Sequence, residues 1–94
     1  MTASEALRPV EILLVEDSPT DALFAREALG DSKIRHNLHT VTDGVVAMAF
    51  LRREGRYSTA PRPDLVLLDL NMPRMDGREV LGAIKADDRL KVIP

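Results

Sequence analysis

Leu65-Val66-Leu67-Leu68 is an unbroken apolar run with no polar alternation. Such a run is the mark of a strand covered on both faces inside a parallel sheet. It ends in a carboxylate, Asp69, which in that position needs partners or solvent. A proline-containing turn follows, and Asp76-Gly77 then opens a helical pattern. In open α/β sheets, binding and chemistry gather outside the carboxyl ends of the strands. Asp69 therefore stands where an α/β protein keeps its reactive group.

The same grammar runs through the rest of the chain. After a polar leader, Met1–Pro9, the segment Val10–Val15 (VEILLV) reads as a buried strand that also ends in acids, Glu16-Asp17. Ser18-Pro19-Thr20-Asp21 starts a helix: Ser18 caps, Pro19 suits the first helical position, and Asp21 stands where a capping-box acid belongs. This helix runs to about Leu29, with Ala22, Ala25 and Leu29 on its inner face and Gly30 as the stop signal. His36–Thr42 alternates apolar and polar, which predicts a strand over Leu38–Val41 nearer the sheet edge, with His36 and His39 facing solvent rather than a metal. Asp43-Gly44 opens a second helix, Val45–Arg53, closed by Gly55. The connection Arg56–Pro63 holds Pro61 and Pro63, which force extended backbone. A third helix begins near Asp76 or Gly77 with Val80, Leu81 and Ile84 turned inward, and Val92-Ile93-Pro94 reads as the start of a fourth strand. Asp43 and Asp76 are read as helix starts rather than ligands, and Met72 and Met75 as packing. The β-α-β-α-β-α order predicts an α/β fold with a parallel sheet and right-handed crossovers.

A chain of 94 residues holds one small domain. Its net charge of −2 offers no electrostatic case for nucleic acid or an anionic membrane as partner. Cysteine is absent, which excludes disulfides and thiolate metal sites. No apolar run approaches a membrane span, and the N-terminus has no signal-peptide core. The expectation is a cytoplasmic domain that engages neither membrane nor nucleic acid.

Asp69-Leu70-Asn71-Met72-Pro73-Arg74-Met75-Asp76-Gly77 resembles the phosphoacceptor signature D-x-x-M-P-x-M-D-G of the response-regulator receiver family. Glu16-Asp17 matches that family's acidic pair after strand one, and the likeness covers nearly the whole chain. It implies a CheY-like (flavodoxin-like) sheet of order 2-1-3(-4-5), of which residues 1–94 hold the first three β-α units and the start of strand four. With strands one and three as neighbours, Glu16, Asp17 and Asp69 meet at the carboxyl edge. Carboxylates that close repel and raise one another's pKa values unless a cation sits among them. A hard divalent ion with oxygen ligands, Mg²⁺ above all, resolves the conflict. The resemblance assigns direct coordination to Asp17, Asp69 and the backbone carbonyl of Asn71, and a water-mediated role to Glu16. Asp69 is then the phosphoacceptor in a two-component phosphorelay, a switch rather than an enzyme, with a sensor histidine kinase as phosphodonor. Asp43-Gly44, the long Arg56–Pro63 connection and the wording DLNMPRMDG resemble small single-domain receivers that pair with bacteriophytochrome-type histidine kinases.

Complete receivers also carry a Ser or Thr ending strand four and a Lys ending strand five, and neither position falls within residues 1–94. Lys85 and Lys91 lie on or after the third helix and do not match the strand-five lysine. The expectation is that Mg²⁺ binds while phosphotransfer is impaired, and that strand three, left as an apolar edge, drives pairing into a homodimer or larger assembly. A competing class, the aspartate-nucleophile phosphohydrolases of dehalogenase-like type, uses Asp-x-Asp; Asp69-Leu70-Asn71 lacks the second acid. A nucleotide or flavin binder wants a Gly-rich turn after strand one, and Glu16-Asp17-Ser18-Pro19 offers none.

Overall fold

A computed structural model of the chain describes residues 8–31, 34–69 and 76–94. The elements in order are β1 (Val10–Val15), α1 (Pro19–Gly30), β2 (His36–Val41), α2 (Gly44–Arg52), a 3-10 turn at Gly55–Tyr57, β3 (Leu65–Leu68) and α3 (Gly77–Ala86). The strands form one parallel sheet in the order β2-β1-β3. β1 lies in the middle, and its apolar run explains why: only a central strand is screened on both faces and both edges.

The two-residue period of β1 divides the core. Leu13 and Val15, both 0% exposed, face α2 and α3 and pack with Val41, Phe50, Val80 and Ile84. Ile12 and Leu14 are buried on the opposite face. The register pairs Leu14 with Thr40, and Thr40 Oγ1 accepts a hydrogen bond from Arg26 Nη2 at 3.3 Å, which sets α1 across that second face. The half-buried positions of α1 are Ala22, Ala25 and Leu29, the apolar face that the sequence pattern predicts, but α1 buries no residue fully.

Each helix begins on a side-chain cap. Ser18 accepts from the Asp21 N–H at 3.3 Å, Asp43 from the Val46 N–H at 2.9 Å, and Asp76 from the Glu79 N–H at 3.0 Å. The reading of Asp43 and Asp76 as helix starts holds. Such a cap satisfies one of the orphan donors of the first turn.

Several expectations need correcting. β2 begins two residues earlier than Leu38, at His36. Gly30 is the last residue of α1, and Asp31 is its C-cap. α2 stops at Arg52; Arg53 is its C-cap in the left-handed region, at φ 57°, and Gly55 takes a second positive φ. Leu81 is 42% exposed rather than turned inward, because Gly77, Val80 and Ile84 already form the buried stripe of α3 and Leu81 falls one position around the helix. β3 is half-buried throughout rather than sealed, since among the described residues β1 is the one strand that borders it. Val92–Pro94 is not a strand, although the Val66 N–H donates to the Pro94 carbonyl at 2.9 Å. His39 is only partly open to solvent, with 31% of its side chain exposed: its Nε2 lies 2.7 Å from Glu11 Oε2, and its ring sits 5.4 Å from that of Phe50. Glu11, on the adjoining strand, also accepts from Asn37 Nδ2 at 2.9 Å.

Candidate functional site

Parallel strands deliver their carboxyl ends to a common edge, and in this sheet that edge is acidic. Glu16 and Asp17 follow β1, and Asp69 follows β3. Backbone pairing continues one residue past the strands: the Glu16 N–H donates to the Val41 carbonyl and the Asp69 N–H to the Val15 carbonyl, each at 3.0 Å. Each of the three acids offers one carboxylate oxygen, and these oxygens lie within 4.8 Å of one another. Glu16 and Asp69 are half-buried, and Asp17 is exposed. The sequence places all three at this edge, and the structure brings them together. Asn71, and with it residues 70–75 of the phosphoacceptor signature, lies outside the described residues.

Electrostatics at the edge are unfavourable to three free anions. Burial pushes the Glu16 carboxyl above its usual value, and the negative charges of Asp69 and Asp21 and a hydrogen bond shared with Asp69 push the same way. The Ser18 N–H, which donates to Glu16 Oε1 at 3.2 Å, works against them. A half-sunken cluster of hard oxygen donors with mutual repulsion fits a divalent cation of the Mg²⁺ or Mn²⁺ type and lacks the nitrogen or sulfur that softer metals prefer. Sequence reasoning found the acids and the Ser18 cap of α1 but missed that the Ser18 amide steadies Glu16. An acid placed two residues before an N-cap was the available signal.

Acids at the ends of β1 and β3, on a 2-1-3 parallel sheet with helices on both faces, define a class of phosphorelay protein. The chain belongs to the response-regulator receiver family: the model of the response regulator receiver domain matches residues 12–94. Among curated proteins it is similar to response regulator Rcp1 of Synechocystis, at 51% identity over 98% of this chain and 63% of that protein. Among solved structures it superposes on the Mn²⁺-bound form of Rcp1 with a TM-score of 0.89 at 53% identity, covering 92% of this chain and 62% of that one. The phosphorylated cyanobacterial phytochrome response regulator RcpA gives 0.88 at 54% identity, over 93% and 62% of the two chains. The bacteriophytochrome response regulator AtBRR gives 0.87 at 38% identity, over 93% and 64%. The chain thus spans a little under two thirds of these relatives. No helix among the described residues is long and apolar enough to cross a membrane.

Proposed function

We propose that this chain is the phosphoacceptor of a two-component relay, with Asp69 as the residue modified. The observation that carries the reading is the convergence of the Glu16, Asp17 and Asp69 oxygens within 4.8 Å at the carboxyl edge of the sheet. Asp69 is half-buried, and the bond from its N–H to the Val15 carbonyl holds its backbone at the end of the sheet. Its carboxylate oxygen attacks phosphorus, the P–N bond of a phosphohistidine on the donor kinase breaks with its electron pair returning to the imidazole, and an acyl phosphate remains on Asp69. Asp17, Asp69 and the Asn71 backbone carbonyl would hold Mg²⁺, and Glu16 would hold one of its waters, kept in place by the Ser18 N–H. Mg²⁺ bound there neutralises the charge of the transferring phosphoryl oxygens. The protein acts as a switch and passes its signal by protein contact.

The likeness to RcpA and AtBRR, described as phytochrome and bacteriophytochrome response regulators, supports a phytochrome-type sensor histidine kinase as donor. Intact-mass spectrometry before and after a small acyl-phosphate donor with Mg²⁺ tests the chemistry. One phosphoryl adduct on the wild type, absent from Asp69→Asn, is the expected result. An adduct that survives Asp69→Asn would overturn the assignment.

A further inference from the structure

At the other end of the sheet, where the strands begin and the helices finish, the polarity inverts. A cavity of about 250 Å³ opens there between the end of α2, the approach to β3 and the turn after α3. Its floor is apolar, from the buried Leu51 and Leu90. Its walls carry the guanidinium-bearing residues Arg52, Arg53, Arg62 and Arg89, against one carboxylate, Asp87. Asp87 is half-buried and accepts the Arg89 backbone N–H at 2.8 Å, so its charge is engaged in its own turn.

Two features separate this cluster from a chance gathering of surface cations. Arg52 and Arg53 suit the C-terminal end of α2, where a positive charge complements the helix dipole. Arg62 comes from the approach to β3 and has no helix end of its own to serve, and Arg89 reaches the same cavity from the turn after α3. Arg53 also occupies the left-handed region, at φ 57° and ψ 46°, a helix-ending position that glycine fills at no steric cost. A side chain there is strained against its own backbone, and this one lines the cavity.

We propose that this cavity binds a small phosphate-bearing anion, at a site separate from the acidic edge. Guanidinium groups are planar forks that grip phosphate oxygens in pairs, and a phosphoryl group spreads its charge over several acceptors. The volume suits one or two phosphoryl groups better than a whole nucleotide. The acidic edge repels the same ligand when no metal is present, so the two poles discriminate.

The test is calorimetric titration of the protein with inorganic pyrophosphate, without divalent metal. Saturable binding is expected, weakened about tenfold, or ~1.4 kcal/mol, by Arg62→Gln and by Arg89→Gln. Arg78→Gln, at the start of α3 and outside the cavity, removes the same charge and should leave binding within about twofold, because an exposed charge far from the ligand acts only through screened solvent. Shift mapping on the unmodified protein supplies a readout independent of the variants: the amides of Arg53, Arg62 and Arg89 should move with pyrophosphate. Absence of saturable binding, equal weakening by Arg78→Gln, or shifts centred on Glu16, Asp17 and Asp69 would each overturn the proposal.

Discussion

Neutralising the phosphoacceptor position should stabilise the metal-free protein. The carboxylate oxygens of Glu16, Asp17 and Asp69 lie within 4.8 Å of one another. Two unit charges at about that separation repel by ~0.9 kcal/mol under water-like screening and by ~3.5 kcal/mol at an effective dielectric of 20. Asp17 is exposed, so its repulsion with Asp69 belongs near the lower figure. Glu16 is half-buried and its side chain is anchored by the Ser18 N–H, and the edge is open to solvent at Asp17, so the second repulsion also falls well short of the upper figure. Asp69→Asn should therefore gain about 1–2 kcal/mol in the absence of metal. For a domain of this size 1 kcal/mol moves Tm by about 4–8 °C. Thermal unfolding followed by circular dichroism in EDTA should show the variant melting about 5–10 °C above the wild type, and 1 M salt should erase most of the gap. Mg²⁺ at about a hundredfold excess over its Kd should reverse the order, since the wild type then gains about 2.7 kcal/mol while the variant has lost a ligand. A variant that melts at or below the wild type in EDTA would refute the reasoning, because the acids would then not be repelling one another.

Leu13→Ala removes a side chain with no exposure at the centre of β1 and should cost about 3–4 kcal/mol, enough to abolish a cooperative melt. Leu81→Ala, by contrast, touches an exposed side chain and should stay within about 0.5 kcal/mol. Asp43→Ala deletes the acceptor for the Val46 N–H at the start of α2 and should cost ~1 kcal/mol in denaturant midpoint analysis. Glu11 supplies a pH signature: the Asn37 amide, and then the hydrogen bond and charge of His39, hold its carboxyl below the ordinary value of 4.5 in spite of burial. An acid lowered on folding contributes stability that is present above 4.5 and is lost as pH falls through the folded value. The wild type should therefore lose Tm faster than Glu11→Gln below pH 4.5.

Local chemistry made most of the site legible. Apolar runs that end abruptly in acids mark the carboxyl edge of a parallel sheet, and Ser18, Asp43 and Asp76 announce their helices because a short acceptor is what a first turn lacks. What escaped depends on neighbours that are distant in sequence. Alternation alone set His39 outside, because it cannot see that Glu11 on the adjoining strand and Phe50 on α2 supply an anion and a ring to receive it. Leu81 looked internal because three of its helical neighbours are, and only the packing of α3 shows how wide the buried stripe is. The left-handed Arg53 had no signal at all, since Gly55, two residues on, looked like the natural place for the chain to turn.

The backbone pairing that runs one residue beyond β1 and β3 has a kinetic consequence. The amide hydrogens of Glu16 and Asp69 belong to the sheet ladder rather than to the loops that follow. Exchange of those two hydrogens with solvent then requires β1 to part from β2 and from β3, so they should be protected as ladder amides are rather than as loop amides are. Glu16 and Asp69 are thus seated on the sheet itself, and an incoming ion or phosphoryl group meets a receptor whose backbone ordering entropy was spent when the chain folded.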